Sequence, residues 1–316
     1  MTLRRYVLKR LLLTIPILIG VSAITFGMMK LLPGNVVDFL IGLSEASPRL
    51  KEQLYAQYHL DEPVYMQYLL WLRDAVTLNF GISPVSQRPV TTIIMERLPR
   101  TVLLGLASFL IAMLIGLPAG TIAAVRKGDL TDEASRVFAL LGIATPNFWL
   151  GLILLYVFGV QLGWFSTIPP LQVSVTDPDL WVFMILPAIT LGTASSALLM
   201  RLARSSVLEQ INKDHVRMAR AKGLSDRKVI VKHVVRNSLI PVVTAAALQI
   251  AFLVDGAVVV EQVFSYPGLG QKLVSAIIQR DIPVVQAAVL LIGVTIVFAN
   301  LMADILYAYL DPRIRY

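Results

Sequence analysis

TVLLGLASFLIAMLIGLPAGTIAAV, residues 101–125, decides the fold class of this chain, because the stretch is long, apolar and free of charged residues. A helix needs roughly 20 apolar residues to cross the hydrocarbon core of a bilayer. Further stretches that meet the same test are 11–32, 137–160, 180–199, 238–260 and 284–310. Only helices satisfy their own backbone hydrogen bonds inside lipid, and no stretch shows the alternation of a transmembrane barrel strand. The sequence therefore predicts an all-α membrane protein with six transmembrane helices.

The composition agrees with an integral membrane protein. Hydrophobic residues make up 56% of the 316 residues and charged residues only 15%, whereas a soluble domain carries about 25% charged residues. The chain has no cysteine, which excludes disulfides and thiolate metal sites. Its net charge of +8 is typical either of nucleic-acid binding or of the cytoplasmic loops of a membrane protein. The distribution of the basic residues decides between these two interpretations.

Basic residues concentrate on one side of the six-span arrangement. They occur at both termini, after the second span and after the fourth, whereas loop 161–179 has no Lys or Arg and loop 261–283 has only Lys272 and Arg280. Cytoplasmic loops carry an excess of Lys and Arg, so we expect cytoplasmic termini and no nucleic-acid partner. The first span is longer than the roughly 7–15 residues of a signal-peptide h-region, and no small-residue cleavage site follows, so we expect it to be retained.

An external hydrophilic segment, residues 33–100, is predicted to be helical. Ser47 and Pro48 suit the N-cap and the first residue of a helix, and residues 61–63 (DEP) begin a second helix. The segment is either a small cap that packs on the span ends or a docking surface for an external partner. The two alternatives are compatible, and both stay open.

A cytoplasmic hydrophilic segment, residues 203–237, is predicted to form two short helices around a turn. Gly223 fits the position after a helix end, where a left-handed conformation suits glycine. Ser225 fits the N-cap of the next helix, with Asp226 in its first turn. Such an element either presses a short helix into another protein or forms a solvated basic loop near anionic lipid. Local physics leaves both interpretations open.

Residues 214–241, DHVRMARAKGLSDRKVIVKHVVRNSLIP, resemble the cytoplasmic loop of ATP-binding-cassette importer permeases, and more narrowly that of the dipeptide, oligopeptide and nickel permease family. Other stretches similar to this family occur in its order along nearly the whole chain, and they are 10–16 (RLLLTIP), 31–35 (LLPGN), 59–63 (HLDEP), 96–99 (ERLP), 145–151 (TPNFWLG), 266–270 (YPGLG) and 310–315 (LDPRIR). The general importer motif is Glu-Ala-Ala, three residues and Gly. Here Ala219 and Gly223 follow it, whereas Arg217 replaces the Glu, as is common in the peptide-type branch.

The resemblance implies a permease subunit that forms half of the translocation pathway for peptides or similar small solutes, in the inner membrane of a prokaryote. The implied partners are a second homologous permease subunit in a heterodimer, two ATPase subunits at the cytoplasmic face, an extracytoplasmic solute-binding protein and membrane lipid. The chain lacks the phosphate-binding motif GxxxxGK[ST]. We therefore expect ATP and Mg to bind only to the ATPase subunits, leaving this chain without cofactor or enzyme activity.

The same resemblance implies a domain organisation and a coupling helix between spans 4 and 5. The predicted parts are the N-terminus with span 1 (1–32), the extracytoplasmic helical segment (33–100) and a core permease domain (101–316) with coupling loop 203–237. The residues expected to couple to the ATPase are Asp214, Arg217, Ala219, Ala221, Lys222, Gly223 and Leu224. Arg217 and Lys222 are expected to pair with acidic rims of an ATPase groove. The two alanines keep the helix thin, and Gly223 permits the turn.

Polar residues inside the spans are candidates for the translocation path. Asp255 lies deep in the fifth span, where a charged side chain costs ~2.5 kcal/mol or more, so we expect it to face a cavity or the protein interior. We expect Gln249, which lies six residues earlier, to line the same cavity. The alternatives for Asp255 are a helix-packing hydrogen bond or a position near the outer interface. Asn300 and Asp304 share a face of the sixth span, and Asp304 is interpreted as structural.

Two other functions fit the sequence less well than an importer permease. A stand-alone secondary transporter usually has more spans and inverted repeats, and no repeat is evident here. An intramembrane enzyme needs paired catalytic groups at membrane depth. The three histidines, His59, His215 and His233, lack metal-ligand spacing, so no metal site is predicted. The cargo is not determined by the sequence.

Overall fold

The computed structural model describes residues 3–31, 37, 48–57, 59–170 and 174–310. Within its helices, the side chains outside the description are those of residues 3, 4, 6, 48, 50, 54, 57, 240, 247, 248, 250–255 and 306–310. The described part is helical, apart from turns, loops and an isolated bridge between Ile82 and Pro89. The all-α prediction is therefore confirmed for the described residues.

The helices follow one another along the whole described chain. They are α1 Leu3–Leu31, α2 Pro48–Gln57, α3 Val64–Val76, α4 Val90–Val125, α5 Leu130–Ala144, α6 Asn147–Leu154 with a π-helical continuation Leu155–Gln161, α7 Pro178–Ile211, α8 Asp214–Ala221, α9 Asp226–Val229 with a π-helical continuation Ile230–Val235, α10 Arg236–Val263, α11 Leu269–Ile278 and α12 Ile282–Leu310. Two predicted helix starts, at Pro48 and after Pro63, are observed at the beginnings of α2 and α3.

Four helices of the described chain are long and apolar enough to cross a membrane. These spans are Val7–Leu31, Val90–Val125, Pro178–Ile211 and Ile282–Ile305, and the bent pair α5 and α6 makes a possible fifth. The predicted span 238–260 lies within α10, part of which has side chains outside the described residues. The structure thus supports four to five apolar spans, and the total of six spans remains a prediction.

The third predicted span is not one straight helix. The axes of α5 and α6 differ by 106°, and the break falls at Thr145 and Pro146, where the backbone is extended, with ψ of 122° and 134°. The proline ring clashes with a helical conformation of the residue before it, so Thr145 leaves the helix. The predicted span 137–160 therefore contains a sharp break, and its crossing of the membrane as one span remains a prediction.

The chain divides into two compact units. The first lies within 1–11, 102–266 and 298–316, and the second within 12–101 and 267–297. The division after Thr101 lies next to the predicted boundary at residue 100. The sequence did not predict that residues 267–297 belong to the same unit as the external segment. The three-part domain organisation remains a prediction.

In the first unit, α7 is the most buried of the apolar helices, with 67% of its most apolar window inside the protein. Helices α4 and α5 approach it through glycines. A Cβ at Gly116 would lie 2.7 Å from the carbonyl oxygen of Ser196, and one at Gly142 would lie 2.7 Å from the Cβ of Ala197. Small residues permit such close contact of helix backbones in membranes. Their positions therefore set α4 and α5 directly against α7.

In the second unit, α3 of the external segment packs on α1 through an aromatic cluster. The ring of Phe26 lies 5.6 Å from that of Tyr68 and 5.7 Å from that of Trp71, measured between centroids. The hydroxyls of Ser22 and Tyr68 form a 2.8 Å hydrogen bond. These contacts correspond to a cap packed on a span end, one of the two alternatives from the sequence. The docking alternative stays a prediction.

Candidate functional site

Residues 214–235, in the segment predicted to be cytoplasmic, form a helix, a glycine turn and a second helix, which confirms the local prediction. Helix α8 is followed by Gly223, whose φ of 75° lies in the left-handed region. The N–H of Leu224 donates to the carbonyl oxygen of Ala219 (3.4 Å), and the N–H of Gly223 donates to that of Arg220 (2.9 Å). This pair of bonds is a Schellman motif, which ends a helix through a left-handed residue. Glycine takes that conformation without a Cβ penalty.

One face of α8 is buried within the first unit. Val216 is fully buried and Ala219 is 5% exposed. The apolar cluster beneath them comprises Ala124, Val207, Val229 and Val234, with Leu208, Ile211 and Leu224 packed at its edge. Ala219 therefore packs against its own chain, whereas its expected part in ATPase coupling remains a prediction. Leu224 likewise anchors the turn from below.

The other face of α8 is an exposed stripe. Its members share exposure and helical spacing, and they are Asp214, Arg217, Met218, Ala221 and Lys222. Positions i, i+3, i+4, i+7 and i+8 lie on one side of a helix. Sequence reasoning gave no role to Met218, which is 59% exposed, although the helical period of the other four members places it among them. We call these five residues the α8 stripe.

The α8 stripe keeps its charged groups accessible. The Nη1 atom of Arg217 lies 3.7 Å from the carboxylate of Asp214, and both side chains are strongly exposed. Solvent screens such exposed ion pairs, and holding both side chains in place costs rotamer entropy, so the pair is weak. Arg217 is therefore able to exchange this contact for a carboxylate on another protein.

His215 connects the start of α8 to the segment that leads into α10. Its Nε2 atom lies 3.3 Å from the carbonyl oxygen of His233 and 3.3 Å from Nδ2 of Asn237. The base of α8 is thus held at its buried face and also at this polar contact.

The two candidate path residues both lie in α10. Gln249 is 8% exposed, and its Nε2 atom has no hydrogen-bond partner among the described residues. A buried amide left unpaired costs about 1–3 kcal/mol, so this position calls for an explanation beyond packing. Asp255 also belongs to α10, but its side chain lies outside the described residues. The structure therefore leaves open whether the two groups line one cavity.

Two ion pairs join distant parts of the first unit. Asp304, interpreted from sequence as structural, lies 2.9 Å from Nη1 of Arg10. Sequence reasoning missed the second pair: Asp132 near the start of α5 is 1% exposed and accepts two bonds from Arg204 of α7, at 2.6 and 2.9 Å. In the sequence, Arg204 is one of the basic residues after the fourth span, which predict the orientation in the membrane. No local signal indicates that it pairs with Asp132.

Two family models together match most of the chain. The model described as "Binding-protein-dependent transport system inner membrane component" matches residues 116–316. The model described as "Binding-prot-dependent transport system membrane comp, N-term" matches residues 3–105. The matched residues include the whole cytoplasmic segment and all of α10.

Curated relatives resemble the chain over almost its full length. The oligopeptide transport system permease protein AppB of Bacillus subtilis (strain 168) is 42% identical over 316 residues, covering 98% of this chain and 99% of the relative. The glutathione transport system permease protein GsiC of Escherichia coli (strain K12) is 42% identical over 311 residues, with the same coverage.

Two solved structures share the fold. A chain of the MetNI methionine ABC transporter in an inward-facing conformation aligns with a TM-score of 0.55 at 17% identity, covering 69% of this chain and 96% of that chain. A chain of an amino acid ABC transporter with histidines aligns with a TM-score of 0.51 at 15% identity, covering 71% and 94%. At this level of identity the likeness concerns the fold alone.

Proposed function

This chain belongs to the family of binding-protein-dependent transport system inner membrane components, and we propose that it forms half of a peptide pathway through the membrane. It is a multi-pass inner-membrane protein and a permease subunit of an ATP-binding-cassette importer. It is not itself an enzyme, because the ATPase activity of such importers resides in separate subunits. The observation that carries the proposal is the 42% identity to peptide-type permeases over 98% of the chain.

The proposed cargo class is peptides and similar small solutes. The names of the two relatives refer to oligopeptides and to glutathione, and both cargoes are built from amino acids joined by amide bonds. A shared chemistry in relatives of equal identity favours the class over any single compound. An extracytoplasmic binding protein delivers the cargo in this proposal.

The proposed assembly has six spans and cytoplasmic termini, and it pairs this chain with a second, homologous permease subunit. Two ATPase subunits dock at the cytoplasmic face and supply the bound ATP and Mg. The basic residues at the termini, after span 2 and after span 4 support this orientation through the excess of cations in cytoplasmic loops. The described apolar helices account for four to five of the spans.

ATPase coupling is proposed for the cytoplasmic segment. Asp214, Arg217, Ala221 and Lys222 would contact the ATPase directly, with Met218 as the apolar member of the α8 stripe. The remaining residues act from beneath, since Ala219 and Leu224 anchor the helix and Gly223 shapes the turn. An exposed basic stripe on a helix whose other face is buried supports this division of roles.

The translocation path is proposed to include Gln249 and Asp255. The Nε2 atom of Gln249 is buried and has no hydrogen-bond partner within the described part of the chain, which supports this assignment. A passing peptide carbonyl or carboxylate would supply an acceptor for it. Asp255 would favour the amino-terminal group of the same cargo. Both residues belong to α10, which follows the coupling segment directly along the chain.

Reconstitution tests the proposal. The chain is co-expressed with the permease, ATPase and binding-protein genes that neighbour its own gene, purified through a tag on it, and placed in proteoliposomes with a labelled tripeptide mixture. We expect a co-purified complex and uptake that requires ATP, with a P-loop lysine variant of the ATPase as the inactive control. Uptake by this chain alone without ATP would contradict the importer assignment. ATP-driven uptake confined to non-peptide solutes would contradict only the cargo class.

A further inference from the structure

The ion pair between the buried Asp132 and Arg204, which is 23% exposed, is bidentate. The guanidinium of Arg204 donates from Nε to one carboxylate oxygen (2.6 Å) and from Nη2 to the other (2.9 Å). The backbone N–H of Gly128 donates a third bond to the carboxylate, at 3.0 Å. Asp132 is 1% exposed, and Arg136 lies 3.6 Å away as a more exposed second cation. The carboxylate thus contacts groups from α7, from the α4–α5 turn and from its own helix.

In this bidentate pair, the planar guanidinium and the planar carboxylate share two hydrogen bonds. The pair restricts the relative orientation of the two groups as well as the distance between them. Two parallel bonds between planar groups prevent one partner from rotating relative to the other, which a single ammonium bond does not do. The pair joins α5 to α7 across 72 residues of sequence. It therefore fixes how α5 and the preceding turn lie on α7.

The position of the pair along α7 matters for the coupling segment. Arg204 precedes Ile211, where α7 ends, by two helical turns, and α8 begins three residues later at Asp214. A Cβ added at Gly120 of α4 would lie 2.8 Å from the Cβ of Ala203, next to Arg204. Near the base of the coupling segment, α4 and α5 therefore both contact α7.

Stability alone gives a weak reason for such a pair. Replacing a buried ion pair with well-packed apolar residues is often neutral or stabilising, because desolvation of the two charges offsets their attraction. A second link, from the hydroxyl of Ser206 to the carbonyl oxygen of Ser238 (2.8 Å), already ties α7 to α10 with neutral groups. What the charged fork adds is a fixed orientation of α5 on α7.

We propose that Asp132 and Arg204 are positioning residues for transport, which make the cytoplasmic ends of α4, α5 and α7 move as one body when the ATPase displaces α8. This inference rests on the proposed coupling role of α8. Rigid elements that shift together carry such motions through packed helices. The pair does not contact cargo or nucleotide in this role, and it acts through the helix to which α8 is attached.

The test compares Arg204→Lys with Arg201→Lys, an exposed arginine about one turn away on α7, in the full reconstituted complex. Lysine keeps the charge but loses the fork. We expect Arg204→Lys to assemble and to hydrolyse ATP at the basal rate, while uptake of a labelled tripeptide mixture per ATP falls about tenfold, within the usual range of coupling between sites. Arg201→Lys is expected to match the wild type.

A neutral pair, Asp132→Asn with Arg204→Gln, separates coupling from folding. It leaves no buried charge unpaired, so we expect assembly and melting temperature near those of the wild type, with uptake per ATP still reduced. Wild-type coupling in Arg204→Lys or in the neutral pair would overturn the inference. Failure of Arg204→Lys to assemble would also overturn it, since the pair would then serve folding. A wild-type complex without ATP-driven uptake would instead refute the proposed function.

Discussion

Replacement of Gly223 by valine tests the coupling turn with a cost that the structure defines. Gly223 has a φ of 75°, and a Cβ added there would meet no atom within 4 Å. The substitution therefore introduces backbone strain without a clash. An L-residue in the left-handed region costs roughly 1–2 kcal/mol, and a β-branched side chain is an outlier there.

That strain falls on a single turn, so its effect on coupling is calculable. One or two kcal/mol is a factor of 5–30 in an equilibrium constant, so the ratio of the observed α8–α9 turn to its alternatives falls by about that factor. We expect binding-protein-stimulated ATP hydrolysis and peptide uptake to fall in Gly223→Val, with about five- to thirtyfold as the upper bound that this ratio sets. Gly223→Asn is expected to retain most activity, because asparagine tolerates the left-handed conformation.

Gly163→Val provides the matched control. Gly163 also has a positive φ, 63°, and open space around its Cβ position, but it lies in the loop after α6. Equal strain there is expected to leave stimulated ATP hydrolysis unchanged. The assay is ATP hydrolysis by the complete complex in proteoliposomes, with and without the binding protein. Normal stimulation in Gly223→Val, or an equal loss in Gly163→Val, would refute the reasoning.

Three further substitutions test the packing and the path. Gly120→Val places a Cβ against α7, and overpacking of this kind costs about 1–3 kcal/mol. We therefore expect a lower melting temperature of the purified complex. Gly105→Val on the same helix, where a Cβ would meet open space, is expected to leave the melting temperature unchanged. Gln249→Leu removes a buried amide nitrogen that has no partner among the residues that the structure describes. It is expected to preserve stability or to raise it by up to ~1–3 kcal/mol while lowering peptide uptake, whereas Gln262→Leu at an exposed position of the same helix is expected to alter neither. Full uptake in Gln249→Leu would remove that residue from the path. Trp71→Ala loses two aromatic contacts, each of which contributes about 0.5–1.5 kcal/mol. We expect the variant to have a lower melting temperature. An unchanged melting temperature would show that the external cap does not depend on this cluster.

Local signals were sufficient for the coupling segment. The helix that begins at Asp214, the positive φ of Gly223 and the second helix at Asp226 all appear where the sequence places them. Each depends on residues within one or two turns, since helix termination and left-handed glycine are properties of the nearby backbone. The starts of α2 and α3 were predicted for the same reason.

The break in the third span was harder to predict, although its cause is local. Proline disfavours a helical conformation in the residue before it, but membrane helices tolerate proline where neighbouring groups satisfy the freed backbone. Pro187 and Pro241 lie inside continuous helices, whereas Pro146 follows a break of 106°. Proline thus lies inside a continuous helix at two positions and at a sharp break at a third. The residue type alone does not predict which of these forms.

The sequence by itself determined that this is a helical membrane protein of the importer-permease family, because each span and each family motif consists of residues that are contiguous in the sequence. Only the tertiary structure decided that Ala219 faces inward while Met218 faces outward, since burial depends on which neighbours a helix meets. The same holds for the pairing of Asp132 with Arg204. Seventy-two residues separate the two side chains, and no periodic pattern links positions brought together by the packing of separate helices.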